Sequence, residues 1–203
     1  KLHPIMYEYI KGKLVTLTPT EVIVETYGIG YKLLISLQTY SEIEKSKLED
    51  ITIYVHHVVK EDDELFYGFF TKDERAIFSL LISVSGVGPN TARIMLSSLT
   101  SEEVKEAIIS EDVRRIQSIK GIGAKTAQRV ILELKDKVIK GGGNVETNII
   151  STSSNNEAKS EAMTALLVLG FGKPAIEKIL NKLLKEKNDY SVEELIKNAL
   201  KYL

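Results

Sequence analysis

The residues best suited to chemistry lie in a short repeat in the middle of the chain. Residues 84–92 read VSGVGPNTA and residues 119–127 read IKGIGAKTA, so both follow the order apolar, any residue, Gly, apolar, Gly, two variable residues, Thr, Ala. Two glycines this close permit the positive φ angles and the close backbone approach that a tight turn between helices needs. The repeat predicts two helix-hairpin-helix motifs.

A helix that begins directly after such a turn can bind a phosphate group. Its first amide groups have no partner inside the helix and lie at the positive end of the helix dipole. Glycines allow a phosphate to reach these amides, and nearby hydroxyl and cationic side chains can add further bonds. Contacts of this kind hold the DNA backbone without reading the base sequence. The predicted DNA-binding set is Gly86, Gly88, Asn90, Thr91, Arg93, Lys120, Gly121, Gly123, Lys125, Thr126 and Arg129.

The charge distribution favours phosphate binding at the repeat. The net charge of the chain is only −1, whereas phosphate binding usually leaves a basic footprint. Residues 1–74 carry 8 basic and 13 acidic side chains, residues 75–140 carry 11 and 7, and residues 141–203 carry 8 and 8. The repeat therefore lies in the only basic third of the chain. One Gly-x-Gly alone is explained equally well by a plain turn between packed helices, but two copies in a basic segment favour phosphate binding.

The two copies differ in side-chain charge. The first copy has Ser85 and Asn90 where the second has Lys120 and Lys125. We therefore expect the first copy to bind phosphate less tightly than the second. Arg93 is its expected cationic contributor, and a solvated surface arginine is the alternative.

The part of the chain before the repeat is typical of a small β-barrel. Short runs rich in β-branched and aromatic residues predict strands at residues 7–10, 21–26, 31–35, 51–55 and 65–69. Because closure removes exposed strand edges at this size, we predict an OB-like barrel over residues 6–70. Residues 1–5 precede Met6 and are expected to be a remnant of an expression vector.

Helical spacing replaces the strand pattern after residue 70. Thr71 with Glu74 and Thr100 with Glu103 have the spacing of capping boxes. The spacing predicts about five short helices over residues 71–140, which form an all-α domain with the two hairpins.

The last part of the chain is expected to be a tethered helical module. Residues 141–156 are rich in Gly, Ser, Thr and Asn, a composition typical of a flexible linker. Helices are predicted at residues 158–169, 174–186 and 191–203, with Pro174 in a first turn and a capping box from Ser191 to Glu194. The fold class is thus α+β and multidomain, with a three-helix UBA-like bundle over residues 157–203.

These features together resemble the RuvA family, the Holliday-junction-binding subunits of bacterial branch-migration complexes. The resemblance covers the chain from Met6 to Leu203. It rests, besides the two glycine hairpins, on Ile10-Lys11-Gly12, Gly28-Ile29-Gly30-Tyr31, Glu61-Asp62 before Tyr67-Gly68-Phe69, and Ala165-Leu166-Leu167-Val168-Leu169-Gly170-Phe171.

The resemblance implies a DNA-binding function and a set of partners. It implies a homotetramer, built on the barrel, that binds four-way DNA junctions and assists the RuvB AAA+ motor in branch migration during recombination and repair. It also implies an acidic pin at Glu61 and Asp62, whose charges repel phosphates at the junction centre so that strands separate. A solvated turn is the alternative for these two residues. An octamer of two tetramers and the RuvC resolvase as a further partner are left open.

The third domain is implied to bind the motor. The candidates for its apolar contact surface are Leu166, Leu169, Phe171 and Leu200. Core packing is the alternative for each of them. Phe171 is the preferred exposed anchor because it lies in a loop between two predicted helices, where helix packing explains a large aromatic side chain less easily.

Several classes of function are disfavoured. The sequence has no Gly-x-x-x-x-Gly-Lys-Ser/Thr loop, so we expect no ATP hydrolysis by this chain. We expect no catalytic residue, metal or cofactor. The adjacent residues His56 and His57 would point to opposite faces of a strand, which is a poor geometry for a shared metal. No cysteine and no membrane-spanning apolar run are present, so we expect a cytoplasmic location.

Two rival interpretations give different outcomes in simple assays. A DNA glycosylase, with Lys135 or Asp136 as a catalytic group, would release damaged bases from duplex DNA and would need a base-flipping pocket. A protein-interaction scaffold, in which the hairpins are only turns, would bind DNA weakly and with little preference for branched substrates.

Overall fold

The computed structural model describes residues 7–61, 63–141, 154–187 and 190–203. The chain divides into two compact units, Lys1–Val145 and Glu146–Leu203, and each unit is described by itself. Among the described residues, no helix is both long and apolar enough to cross a membrane.

The first unit begins with a closed five-stranded barrel. Its strands are β1 (Tyr9–Leu17), β2 (Glu21–Thr26), β3 (Ile29–Ile35), β4 (Asp50–Val59) and β5 (Glu64–Phe69). They pair in the order β1-β2-β3-β5-β4, and β4 closes the barrel by pairing with β1. Only the β3–β5 pair is parallel. The predicted OB-like barrel is confirmed, and the predicted strands form, although β1 runs from Tyr9 to Leu17 and not over residues 7–10.

One helix of the first unit was not predicted. Helix α1 (Leu37–Ser46) connects β3 to β4 and begins at the N-cap Ser36, whose hydroxyl accepts a hydrogen bond from the Thr39 amide. Only Thr39 and Ile43 of this helix are buried. Two buried positions give a weak helical periodicity, so the sequence pattern did not reveal the helix.

The helical part of the first unit contains five helices in its described residues. They are α2 (Lys72–Ile82), α3 (Pro89–Ser98), α4 (Ser101–Ile109), α5 (Val113–Gln117) and α6 (Ala124–Gly141). The number agrees with the prediction, but α6 is 18 residues long rather than short. Tyr67 and Phe69 of β5 belong to the same buried cluster as the helices. The barrel and the helices therefore share a core, and their division into separate domains near residue 70 stays a prediction.

The capping box expected at Thr71 forms only in part. The Thr71 hydroxyl accepts a hydrogen bond from the Glu74 amide at 3.1 Å, as predicted. The buried Glu74 carboxylate does not return to the cap but accepts hydrogen bonds from the hydroxyls of Ser36 and Thr39. Burial raises the pKa of Glu74. Both halves of the box form at Thr100 and in the second unit at Ser191.

The second unit is a bundle of three helices in its described residues. These are α7 (Ser154–Val168), α8 (Lys173–Glu186) and α9 (Val192–Ala199). Helix α7 begins four residues earlier than predicted, because Ser and Asn, typical of linkers, are also favoured at helix starts. Helix α9 ends before the predicted residue 203. Of the predicted linker, residues 142–153 lie outside the described residues, whereas Gly141 ends α6 and residues 154–156 open α7.

Candidate nucleic-acid interface

The two glycine repeats adopt the same backbone turn. The first glycine of each copy has a positive φ, +94° at Gly86 and +90° at Gly121. In each copy the amide of the second apolar residue donates to the carbonyl of the first, at 3.0 Å and 3.1 Å. Since residues with a side chain rarely adopt this conformation, the turn itself requires glycine at these two positions.

The second glycine of each copy lies at the start of a helix. Gly88 is the N-cap of α3, and no side chain caps this end. The carbonyls of Gly88 and Gly123 each accept a hydrogen bond at 2.9 Å, from Ala92 and Ala127 respectively. The amides just before these donors make no hydrogen bond within the described residues, and they belong to Asn90, Thr91, Lys125 and Thr126. Two helix starts thus leave free amide donors, as predicted from the repeat.

The fold does not require glycine at Gly88 or Gly123. Neither residue has a positive φ. A Cβ atom built on either one would meet no atom within 4 Å. Both positions are exposed and lie beside the free amides. A residue without a side chain at these positions leaves the amides open to a group from outside the protein.

Buried apolar residues hold each hairpin against the helical core. Val84 and Val87 of the first hairpin are 1% and 4% exposed, and Ile119 and Ile122 of the second are 4% and 6% exposed. The apolar positions of the repeat thus point inward. The glycines between them are left at the surface.

The charged side chains differ between the hairpins, as the sequence predicted. Lys120 and Lys125 are exposed, and neither forms an ion pair within the part of the chain that the structure describes. At the first hairpin the Asn90 Oδ1 atom accepts a hydrogen bond from Arg93 Nη2 at 2.9 Å. Among the described residues of the two hairpins, the lysine side chains that form no ion pair therefore lie at the second hairpin.

The two arginines of the predicted set have partners within the protein. Arg93 Nη1 donates to the carbonyl of Thr20, in the turn between β1 and β2, at 3.3 Å. Arg129 Nη1 donates to the carbonyl of Ser85 at 3.1 Å. Both guanidinium groups are thus oriented by contacts inside the first unit, unlike Lys120 and Lys125.

The groups considered for a glycosylase are on the surface of the first unit. The Lys135 ammonium forms an ion pair with the Glu111 carboxylate, and this hydrogen bond lowers the pKa of Glu111. The Lys135 ammonium is thus engaged by a carboxylate of the same chain. Asp136 is exposed. This arrangement gives no support to catalysis by either residue.

Family models match most of the chain. The RuvA N terminal domain matches residues 6–68, the SAM-like helix-hairpin-helix tandem matches residues 78–136, and the RuvA C-terminal domain matches residues 157–203.

The chain is also similar to curated relatives over nearly its whole length. Each of the following is named Holliday junction branch migration complex subunit RuvA. The relative from Christiangramia forsetii is 54% identical over 198 residues, which cover 98% of this chain and 100% of the relative. The relative from Flavobacterium psychrophilum is 46% identical with the same coverage, and that from Bacteroides thetaiotaomicron is 42% identical over 98% of this chain and 100% of the relative. The chain belongs to the RuvA family.

In this RuvA-family chain, the acidic segment lies between β4 and β5. The Lys60 amide donates to the Asp63 carbonyl at 2.8 Å and closes the turn. Glu61 is exposed in this turn, whereas Asp62 lies outside the described residues. The hairpin-tip position expected for Glu61 is therefore observed, and its role as a pin stays a prediction.

Two of the residues expected on a motor-binding surface of the RuvA C-terminal domain pack against its core. Leu166 is 0% exposed and belongs to the core of the second unit, so its prediction as an accessible contact is wrong. Phe171 is half-buried against the same core. Gly170 has a φ of +95°, and the Phe171 amide donates to the Leu166 carbonyl at 3.2 Å. This Schellman ending turns the residue after the glycine back onto the helix, so a loop position did not leave the aromatic ring free.

The other two candidates of this RuvA-family domain are exposed. Leu169 is 60% exposed and Leu200 is 43% exposed. Leu167 and Val168 are also exposed, by 41% and 83%, and sequence reasoning did not select them. Their run of apolar residues at the end of α7 was a signal that could have identified them. The exposed apolar residues of this unit's candidate surface are thus Leu167, Val168, Leu169 and Leu200.

Proposed function

We propose that this chain binds four-way DNA junctions as the DNA-holding subunit of a branch migration complex. The observation that carries this proposal is the pair of hairpins with free amides at the helix starts. Gly88 and Gly123 lie beside these amides, and the fold does not require glycine at either position. The names of the relatives, which are branch migration complex subunits for Holliday junctions, support the same function.

Binding is directed at the phosphate backbone. Each hairpin offers amide donors at the positive end of a helix dipole, and Lys120 and Lys125 add charge at the second hairpin. None of these groups reads a base edge. The chain therefore recognises the geometry of DNA arms and not their sequence, which suits a protein that moves a junction through any sequence.

The junction centre is organised by the barrel in a homotetramer. Four copies around a fourfold axis would bring four β4–β5 tips together, each carrying Glu61, Asp62 and Asp63. Like charges concentrated at the crossover repel phosphates and keep the strands apart. Glu61 and Asp62 thus act by electrostatic exclusion, and no bond is cut.

The chain is a non-catalytic subunit whose movement along DNA is driven by a partner. ATP hydrolysis is assigned to the RuvB motor, because the sequence of this chain lacks a Gly-x-x-x-x-Gly-Lys-Ser/Thr loop. The exposed apolar residues of the second unit, among them Leu169 and Leu200, are the proposed contacts with the motor. A Leu169→Asp variant is expected to lose stimulation of the motor while its junction binding is unchanged, with Lys178→Asp as a matched surface control.

The direct test compares a labelled four-way junction with a linear duplex of equal length at two salt concentrations. We expect preferential binding to the junction and an affinity that falls with salt at a log–log slope of about −0.9 per neutralised phosphate. Equal affinity for both substrates would contradict junction recognition. A flat dependence on salt would contradict phosphate binding itself.

A further inference from the structure

We propose that Arg129 is a positioning residue that fixes the spacing between the two phosphate-binding hairpins and is not itself a phosphate ligand. This inference rests on the proposed function and adds a role for one residue of the site. Arg129 lies in α6, just after the second hairpin, but its Nη1 donates to the carbonyl of Ser85 in the first hairpin at 3.1 Å. Within the described residues, this is the only side-chain hydrogen bond that joins α6 to the first repeat.

A second contact orients the same guanidinium group. Arg129 Nε lies 3.8 Å from Glu133 Oε1, one turn further along α6. A planar guanidinium that donates to a carbonyl on one edge and lies beside a carboxylate on another has two protein contacts that compete with a phosphate for it. The carboxylate also offsets its charge. Lys120 and Lys125 have no such partner within the described part of the chain, so they are better placed to neutralise phosphates.

Both hairpins pack into one buried core, and among the described residues the exposed line between them carries one polar side-chain contact, from Arg129. A Cβ atom on Gly86 would lie 3.9 Å from Thr126 Oγ1, which shows how close the two hairpins approach. The residues facing each other there are small, and the Gly86 and Ser85 positions are exposed. The hydrogen bond from Arg129 to Ser85 thus ties the second helix start to the first.

Fixed spacing matters because both hairpins must reach phosphates of one DNA arm. The phosphates of a duplex have set separations, so two sites held at the right distance bind together without a further ordering cost. A looser pair would have to be ordered when both hairpins bind, so the complex would make the same phosphate contacts with a lower affinity. The loss should therefore appear in affinity and not in the number of phosphates neutralised.

The test measures junction affinity of the full chain across a range of salt concentrations for Arg129→Gln and Arg129→Lys. Both variants are expected to lose up to roughly tenfold in affinity, because hairpins whose spacing is not fixed must be ordered on binding. The slope of log affinity against log salt should stay at the wild-type value for both. Lys125→Gln is the matched control, and its slope should become shallower by about 0.9 because one phosphate contact is lost.

The second measurement tests whether the effect of Arg129 on junction affinity depends on a working first hairpin. In a Gly88→Val background, where the first hairpin no longer binds, Arg129→Gln should cause no further loss. A slope shallower by about 0.9 in Arg129→Gln, with normal binding by Arg129→Lys, would identify a phosphate ligand and overturn the proposal. Wild-type affinity in both variants, or a full additional loss in the Gly88→Val background, would also overturn it. Absence of salt-dependent junction binding by the unmodified chain would instead contradict the proposed function.

Discussion

The two hairpins share one backbone but not one set of side chains. Both have a positive φ at their first glycine, buried apolar anchors and free amides at the next helix start. Only the second adds two exposed lysines, whereas Asn90 of the first is bonded to Arg93. Under the proposed function, the shared backbone geometry would create each phosphate site and the side-chain charge would set its strength. The second hairpin should therefore contribute more to affinity than the first.

The largest expected effect is the loss of junction affinity when each hairpin is blocked in turn. Gly123→Val places a branched side chain in front of the amides and beside Lys125, so we expect about a 100-fold loss of junction affinity, as for two lost hydrogen bonds to a charged group. Gly88→Val should cost about tenfold by the same argument, with fewer charges affected. Titration of a labelled junction measures both. Equal losses would contradict the ranking of the two hairpins.

A smaller effect, on the free energy of unfolding, is expected to differ between the two glycines of each hairpin. Gly86→Ala and Gly121→Ala force a side chain into a left-handed conformation and should each lower the free energy of unfolding by about 1–2 kcal/mol. Gly88→Ala and Gly123→Ala meet no atom, so they lose only the preference for glycine over alanine at a helix start and should each cost about 0.5 kcal/mol. Urea unfolding followed by circular dichroism measures the difference. The same cost at all four positions would show that the fold needs every glycine.

Exchange of charge between the copies is expected to change the salt dependence. Asn90→Lys gives the first hairpin the lysine of the second, so the log–log salt slope should steepen by about 0.9. Affinity should rise most at low salt, because added surface charge is screened at high salt. Fluorescence anisotropy at several salt concentrations provides the slope. Asn90→Gln is the neutral control, and an unchanged slope in Asn90→Lys would mean that no phosphate lies within reach of that position.

The smallest expected effect concerns the arginine of the first hairpin. Arg93→Gln removes the bond to the Thr20 carbonyl and should lower the free energy of unfolding by about 1 kcal/mol or less. Because its guanidinium is already bonded to Thr20 and Asn90, the salt slope of junction binding should not change. A slope shallower by about 0.9 would assign Arg93 to a phosphate after all.

The hairpins and the barrel could be predicted because their signals are local. A repeated Gly-x-Gly with apolar neighbours specifies the turn and its anchors, and short β-branched runs specify strands. The different reasons for glycine at Gly86 and Gly88 could not be predicted, because they depend on φ and on the space around each Cβ atom.

Long-range packing accounts for the predictions that were wrong or incomplete. Leu166 and Leu169 are both apolar residues near the end of α7, and only the packing of α8 and α9 decides that one is buried and the other exposed. Glu74 has the spacing of a capping box, but its carboxylate accepts hydrogen bonds from Ser36 and Thr39, 38 and 35 residues earlier. Contacts between distant segments leave no periodic signal in the sequence.

The most direct test of the central claim is the Gly88→Ser/Gly123→Ser double variant. A serine at an N-cap can accept hydrogen bonds from the free amides, so it competes with phosphate while capping the helix as well as glycine does, to within a few tenths of a kcal/mol. Junction affinity and the free energy of unfolding would be measured on the same preparation. The account predicts an unchanged or slightly higher free energy of unfolding together with a strong loss of junction affinity. Wild-type affinity in this variant would contradict it, because the amides at the two helix starts could then not be the groups that hold the DNA.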